Sequence, residues 1–262
     1  MKKILLTLMF IGAILSTHAQ FHVIHMEQSD AKGATVERKT DFYFHSEHLR
    51  MDTRVGESAK QSVIYDRKAE TVYMVDHTAK KYFVLDREVA AELKGRIEQM
   101  KKMAEERIAQ MPPEQQEMAR KMMEQQMGNI EADYGIEATG EESDINGYDC
   151  SEYLMSEDGE LKKKMWVASY GDLGIGKKEV VCLEEFSELM GSFAESMGSN
   201  LGDSNFLYQK EIQGLPVRSI DYDYGNPAGQ DNIVDIETYT PTEQFFSIPG
   251  GYTEQSIDQG PR

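Results

Sequence analysis

The sequence predicts an α+β protein in which a curved antiparallel sheet, or half-barrel, has helices covering one face. Short runs rich in Val, Ile, Tyr and Phe follow one another from Phe21 to Asp86 with only short polar links. Residues 88–111 then change to helical spacing, and β character resumes after Tyr134. Because strands joined by such short links form antiparallel meanders rather than βαβ units, we expect an antiparallel sheet.

The first 19 residues have the features of a secretory signal peptide. Lys2 and Lys3 form a positive start, Ile4–Leu15 an apolar run, and Ala19 ends a small-residue cleavage site. The run is too short to span a bilayer, and no cysteine follows the cleavage site to carry a lipoprotein's acyl chains. We therefore expect an exported, soluble chain, periplasmic or extracellular, that is neither a lipoprotein nor membrane-spanning.

The mature chain is expected to be one domain, residues 20–252, with a loose tail at 253–262. A Met-rich helical insert occupies about 88–128, where Pro112-Pro113 separates two helices. A third helix is predicted at 182–197. Three more strands are expected after it, with a loop at 225–229.

Composition excludes several classes of function. Asp and Glu number 46 against 28 Lys and Arg, a net charge of −18, so nucleic-acid binding is not expected. The sequence has no G-x-S-x-G elbow, no H-E-x-x-H and no P-loop. We therefore expect a non-catalytic protein that needs no cofactor.

Longer sequence phrases carry a family resemblance. DFYFHSEHLRMD (41–52) and the segment 62–85 are similar to the strands of LolA/LolB-type lipoprotein carriers of Gram-negative bacteria. The chain resembles more broadly a family of exported bacterial proteins classed as a domain of unknown function with that carrier-like fold. The phrases that match that family are INGYDCSEY (145–153), WVA (166–168), GLPV (214–217) and FSIPGGY (246–252).

The resemblance implies a half-barrel and a helical lid around an apolar cavity. It supplies no ligand, because a shared fold is a weak argument for function. The carriers' functional Arg has no counterpart at the Ser46-Glu47 turn, so no functional residue is carried over.

Methionine is concentrated in the helical insert, where 100–127 holds seven of the 16 methionines. One interpretation is ordinary packing of a helix on the sheet. A second is a lid over a pocket for acyl chains, since flexible thioethers adapt to varied apolar partners. A third is Cu(I) binding through Met and His.

Histidine and cysteine allow two further predictions. If Ser46-Glu47 is a two-residue turn, His45 and His48 lie side by side across the hairpin and are weak metal candidates, although surface histidines without metal are the simpler interpretation. Two cysteines in an exported chain favour one disulfide, Cys150–Cys182, with buried or free thiols as the alternative.

We therefore predict a carrier or binding protein for an apolar, lipid-like ligand, because helices must cover an open half-barrel and leave ligand-sized space. The alternatives are a soft-metal-binding protein and a structural module with a packed core and no ligand. The candidate lining residues come from the strands and the lid: Phe42, Phe44, Leu49, Met51, Met74, Phe83, Met100, Met103, Met118 and Met122.

Overall fold

A single large sheet forms the framework of the protein. The structure, a computed structural model, describes residues 21–32, 35–56, 58–119, 134–196 and 212–255. The predicted signal peptide at 1–19 and Met122 lie outside these ranges. Within them, twelve strands form one open, curved sheet, as the sequence predicts.

The strands alternate with few helices. The first meander contains β1 (Phe21–Asp30), β2 (Val36–Phe44), β3 (His48–Val55), β4 (Ser58–Asp66), β5 (Thr71–Asp76) and β6 (Lys81–Leu85). The second contains β7 (Tyr134–Ile145), β8 (Tyr148–Glu157), β9 (Glu160–Ser169), β10 (Gly214–Asp223) and β11 (Asn226–Tyr239). The helices are α1 (Arg87–Ala109), α2 (Lys177–Ser196) and a 3-10 helix (Glu243–Phe246), and residues 113–119 are also helical.

One long-range pairing joins the two meanders. β1 pairs antiparallel with both β2 and β11. With β12 (Thr253–Glu254) at one edge, the strand order is β12-β6-β5-β4-β3-β2-β1-β11-β10-β9-β8-β7. All these pairings are antiparallel except that of β12 (Thr253–Glu254) with β6. The first residues of the predicted loose tail therefore add a short edge strand.

The tight hairpins contain residues that tolerate left-handed backbone. Asn146 and Gly147 have φ of 57° and 85°, which suits the two-residue turn between β7 and β8. Tyr224 and Gly225, at 47° and 75°, connect β10 to β11 in the same way. The loop predicted at 225–229 is therefore wrong, because Asn226, Pro227 and Gly229 already pair with β10, and Ala228 is the extra residue of a β-bulge.

Helix α2 packs on the sheet through its apolar side. Leu183, Phe186 and Leu189 belong to the main core cluster, and the Phe186 ring lies 5.7 Å from that of Tyr65 on β4. The helix begins five residues before the predicted 182, because the carbonyl of Gly176 accepts the amide hydrogen of Val180 at 3.0 Å. Val180 also packs against the core, which offsets its weak helix propensity.

Helix α1 begins with a side-chain cap. The carboxylate of Asp86 accepts the amide hydrogen of Val89 at 2.8 Å, and the helix then packs against α2 and β6. Its buried residues are Ala90 and Ile108. Among the described residues, the helices are all too short or too polar to cross a membrane.

Candidate ligand-binding cleft

The strand register shows which candidate residues share a face. Directly opposed residues of an antiparallel pair point to the same side of the sheet. Leu49 lies opposite Tyr65, which contacts α2, so this side is called the α2 face. The six candidate strand residues all lie on it, through the pairs Phe44–Leu49, Phe42–Met51 and Met74–Phe83 and through Val63, which opposes both Met51 and Met74.

One row of candidates lies under the helices. Phe44 and Leu49 are buried in the same core cluster as Tyr65 and Phe186. Their surface is used in packing against α2 and its neighbours. They therefore form the packed end of the α2 face, and their role in lining a ligand cavity stays a prediction.

The next row borders a cleft of about 360 Å³. Phe42 and Met51 line it, whereas Met74 and Phe83 lie farther along the same row and do not. Among the residues that the structure describes, the lining consists of Met26, Gln28, Arg38, Thr40, Phe42, Met51, Thr53, Val63, Lys163, Asp221 and Asp231.

The cleft has two unlike walls. Phe42, Met51 and Val63, on β2 to β4, form an apolar wall, beside which Arg38, Thr40 and Thr53 of the same strands contribute polar side chains. The opposite wall comes from β9 to β11 of the second meander, where the ammonium of Lys163 lies 2.9 Å from a carboxylate oxygen of Asp221. Lys163 is only 5% exposed. A charged lysine at this depth requires such a partner, because burial penalises an unpaired charge.

Asp231 is the second carboxylate of the polar wall. Its carboxylate accepts the hydroxyl hydrogen of Ser219 at 3.1 Å. Burial raises the pKa of Asp231 above its ordinary value, and the negative charge of Asp221 raises it further, while Lys163 acts in the opposite direction. The wall therefore holds two carboxylates close to one buried ammonium group.

The methionines predicted to form a lid lie on α1 and the following helical residues. Met100 is 55% exposed, Met103 46% and Met118 68%. None of these three lines the cleft, and Met122 lies outside the described residues. Their role as a lid stays a prediction.

His45 and His48 lie together at the β2–β3 hairpin. The backbone bond from His45 to His48 closes the two-residue turn, and their Nδ1 atoms are 3.3 Å apart. The Phe246 ring stacks on His48 at 4.9 Å, and burial lowers the pKa of His45. In the described part of the chain, no three His, Cys, Asp or Glu residues are grouped for a metal ion.

Both cysteines are buried and free, in place of the expected disulfide. The thiol of Cys150 donates to the carbonyl of Tyr148 at 3.3 Å. Burial raises the pKa of Cys150 to about 11 and that of Cys182 to about 12. Thiols this strongly protonated are poor nucleophiles at neutral pH.

The opposite face of the sheet carries a polar network that sequence reasoning did not find. Ser62 donates to Asp52, and its hydroxyl oxygen lies 2.7 Å from Nε2 of His77. Nδ1 of His77 lies 2.9 Å from the hydroxyl of Tyr252, and Arg50 donates to both Asp52 and Ser62. The conspicuous FSIPGGY phrase was the available signal, since its last residue, Tyr252, joins this network.

Solved structures give weak likenesses only. PNGF-II in a C2 crystal form is 10% identical, with a TM-score of 0.43, and the match covers 92% of this chain and 32% of that one. The Pseudomonas aeruginosa MucA/MucB complex is 10% identical, with a TM-score of 0.38 and coverage of 88% and 56%. A crystal structure of MucB is 10% identical, with a TM-score of 0.37, and the match covers 90% of this chain and 59% of that one. This chain therefore spans about a third of PNGF-II and just over half of the MucB chains.

The family match is extensive. No curated protein matches the chain. A protein family described as a domain of unknown function, DUF4412, matches residues 22–115 and 108–252, and so includes both meanders and the cleft between them. The chain belongs to the DUF4412 family.

Proposed function

We propose that this protein is a non-catalytic, exported envelope protein that binds or carries an apolar, lipid-like ligand in the cleft of the α2 face. The observation that supports this most is the apolar wall formed by Phe42, Met51 and Val63. It continues from the packed row under α2 into open space of about 360 Å³. Ligand cavities typically measure roughly 300–1,000 Å³ and combine apolar walls with a few polar groups.

The signal-peptide features of residues 1–19 support an envelope location. The net charge of −18 favours a solvated surface and disfavours nucleic acid as a partner. The exposed methionines Met100, Met103 and Met118 suit a lid that adapts to a bound chain. In this proposal α1 would close over the ligand.

Filling the cleft tests the proposal. The mature protein is titrated with N-phenyl-1-naphthylamine, an uncharged apolar probe that fluoresces when it leaves water. Val63→Trp places a large ring in the cleft, whereas Val234→Trp makes the same change at an exposed valine of β11. Saturable binding that Val63→Trp weakens and Val234→Trp preserves supports the proposal. Equal binding by both variants, with unchanged circular dichroism, contradicts it.

The second candidate is a soft-metal-binding protein. Met100 and Met103 are both exposed and three residues apart on α1, so their thioethers lie on neighbouring positions of one helix surface. Thioethers favour Cu(I). Titration with Cu(I) against a chromogenic chelator tests this candidate, and a Met100→Leu/Met103→Leu variant is the control. The absence of saturable binding by the mature protein removes it.

A further inference from the structure

The two walls of the cleft differ in polarity, so they suit different parts of a ligand. Its apolar wall offers no hydrogen-bonding side chain at Phe42, Met51 or Val63. Its polar wall places Lys163, Asp221 and Asp231 on the facing strands β9 to β11. Lys163 and Asp221 compensate each other, but a purely apolar ligand would further desolvate Asp231, whose carboxylate accepts the hydroxyl hydrogen of Ser219 at 3.1 Å, and this costs free energy. An amphiphile whose tail faces one wall and whose head faces the other avoids that cost.

The charges of the polar wall select the head group. The ammonium of Lys163 is already 2.9 Å from Asp221, so it has limited capacity to compensate Asp231 as well. The other cation of the lining, Arg38, also acts to lower the pKa of Asp231, but it is exposed, and solvent weakens its charge. An anionic head would bring a third negative charge to this wall of a protein whose net charge is −18. A head that donates hydrogen bonds would instead satisfy a carboxylate.

The volume of the cleft limits the tail. A volume of about 360 Å³ lies at the lower end of the roughly 300–1,000 Å³ typical of ligand cavities, so it suits a small tail better than a large one. One acyl or alkyl chain of moderate length fits this space. The cleft therefore favours one chain over the two chains of a diacyl lipid.

We propose that the cleft takes a single-chain amphiphile whose head group donates hydrogen bonds to Asp231 and carries no net negative charge. This inference rests on the proposed binding function and names its ligand class. The tail lies against Phe42, Met51 and Val63. The head lies beside Asp231 on the polar wall and donates its hydrogen bonds to that carboxylate.

Three amphiphiles with the same twelve-carbon chain test the proposal by displacement of N-phenyl-1-naphthylamine below their micelle-forming concentrations. Dodecylamine is cationic, monododecanoylglycerol is neutral with donor hydroxyls, and dodecanoate is anionic. We expect the first two to displace the probe at concentrations about tenfold lower than dodecanoate, because a hydrogen bond to a charged group is worth about that factor. A twelve-carbon diacyl phosphatidylethanolamine should not displace it.

Asp231→Asn keeps the shape of the side chain and removes its charge. It should remove most of the preference for dodecylamine over dodecanoate, whereas Asp223→Asn, at an exposed position of β10, should leave the preference unchanged. If dodecanoate binds as well as dodecylamine, the head-group inference is wrong while the binding function stands. If neither the probe nor any amphiphile binds, the proposed function itself fails.

Discussion

The Arg50 side chain contacts both the backbone carbonyl and the aromatic ring of Phe245. The guanidinium donates to the carbonyl of Phe245 and lies 4.4 Å from the centre of its ring, although the two residues are 195 positions apart. The same guanidinium donates to Asp52 at 2.8 Å. Phe245 also packs edge-on against Tyr43 at 4.8 Å. The C-terminal segment is therefore fixed to the face of the sheet opposite the cleft.

Removing the Arg50 guanidinium should destabilise the fold strongly. Arg50→Met leaves the buried carboxylate of Asp52 without its cation and frees the carbonyl of Phe245. We expect a loss of about 3 kcal/mol in the free energy of unfolding, measured by urea denaturation. Arg87→Met, which breaks the exposed ion pair with Glu70, is the control and should change little. Equal effects of the two variants would show that the contacts of Arg50 with Asp52 and Phe245 do not stabilise the fold.

Phe186 should be the main contact of α2 with the sheet. Phe186→Ala removes a buried ring that packs on Tyr65 and should cost about 3–5 kcal/mol. Val181→Ala, at an exposed position of the same helix, should change the free energy of unfolding much less. Urea denaturation of both variants gives the comparison. A small effect of Phe186→Ala would mean that α2 does not pack on the sheet as described.

The two cysteines should be titratable but slow to react. Because burial raises the pKa of Cys150 to about 11 and that of Cys182 to about 12, few thiolates form in the folded protein at pH 8. We expect a disulfide-exchange reagent to label neither thiol quickly in the folded state and both in denaturant. In denaturant, the Cys150→Ala variant should then show one reactive thiol in place of two. No labelling in denaturant would indicate the disulfide expected from the sequence.

Stability should fall as the pH decreases below neutral. Burial and the nearby Arg50 lower the pKa of His77 below its ordinary 6.5, so the unfolded chain binds a proton more readily than the folded one. This contribution is fully present above pH 6.5 and is lost as the pH falls from there through the pKa of the folded state. Burial lowers the pKa of His45 in the same sense.

Urea denaturation between pH 5.5 and 7.5 tests this dependence. We expect His77→Gln to flatten the curve of unfolding free energy against pH, and His77→Gln/His45→Gln to flatten it further. Glu185, whose pKa the Arg67 side chain lowers, contributes stability that is lost only below its ordinary 4.5, outside this window. Curves of the same slope for wild type and double variant would contradict the assignment.

Much of the sheet was predictable because its signals are local. Alternating apolar residues and short polar links identify the strands of the first meander, and the Asn146-Gly147 pair indicates a tight hairpin. The six strand candidates share one face because residues two apart on a strand point to the same side of the sheet. An error of one residue would have moved them to the other face.

The polar wall of the cleft could not be read from the sequence. Lys163, Asp221 and Asp231 belong to three strands, and the β1–β11 pairing brings those strands beside the first meander. In a chain with 46 acidic residues, nothing local distinguishes these two carboxylates from the others. The sequence also could not predict that Phe44 and Leu49 pack under α2, because this depends on the position of the helix on the sheet.

Native mass spectrometry of the mature protein purified from its own export compartment, followed by organic extraction, tests the central claim most directly. We expect one single-chain amphiphile without net negative charge to co-purify with each protein molecule, and we expect the Val63→Trp variant to lack it. A protein that is empty and also rejects added single-chain amphiphiles would contradict the binding function. The cleft would then be a solvent-filled gap beside a packed core.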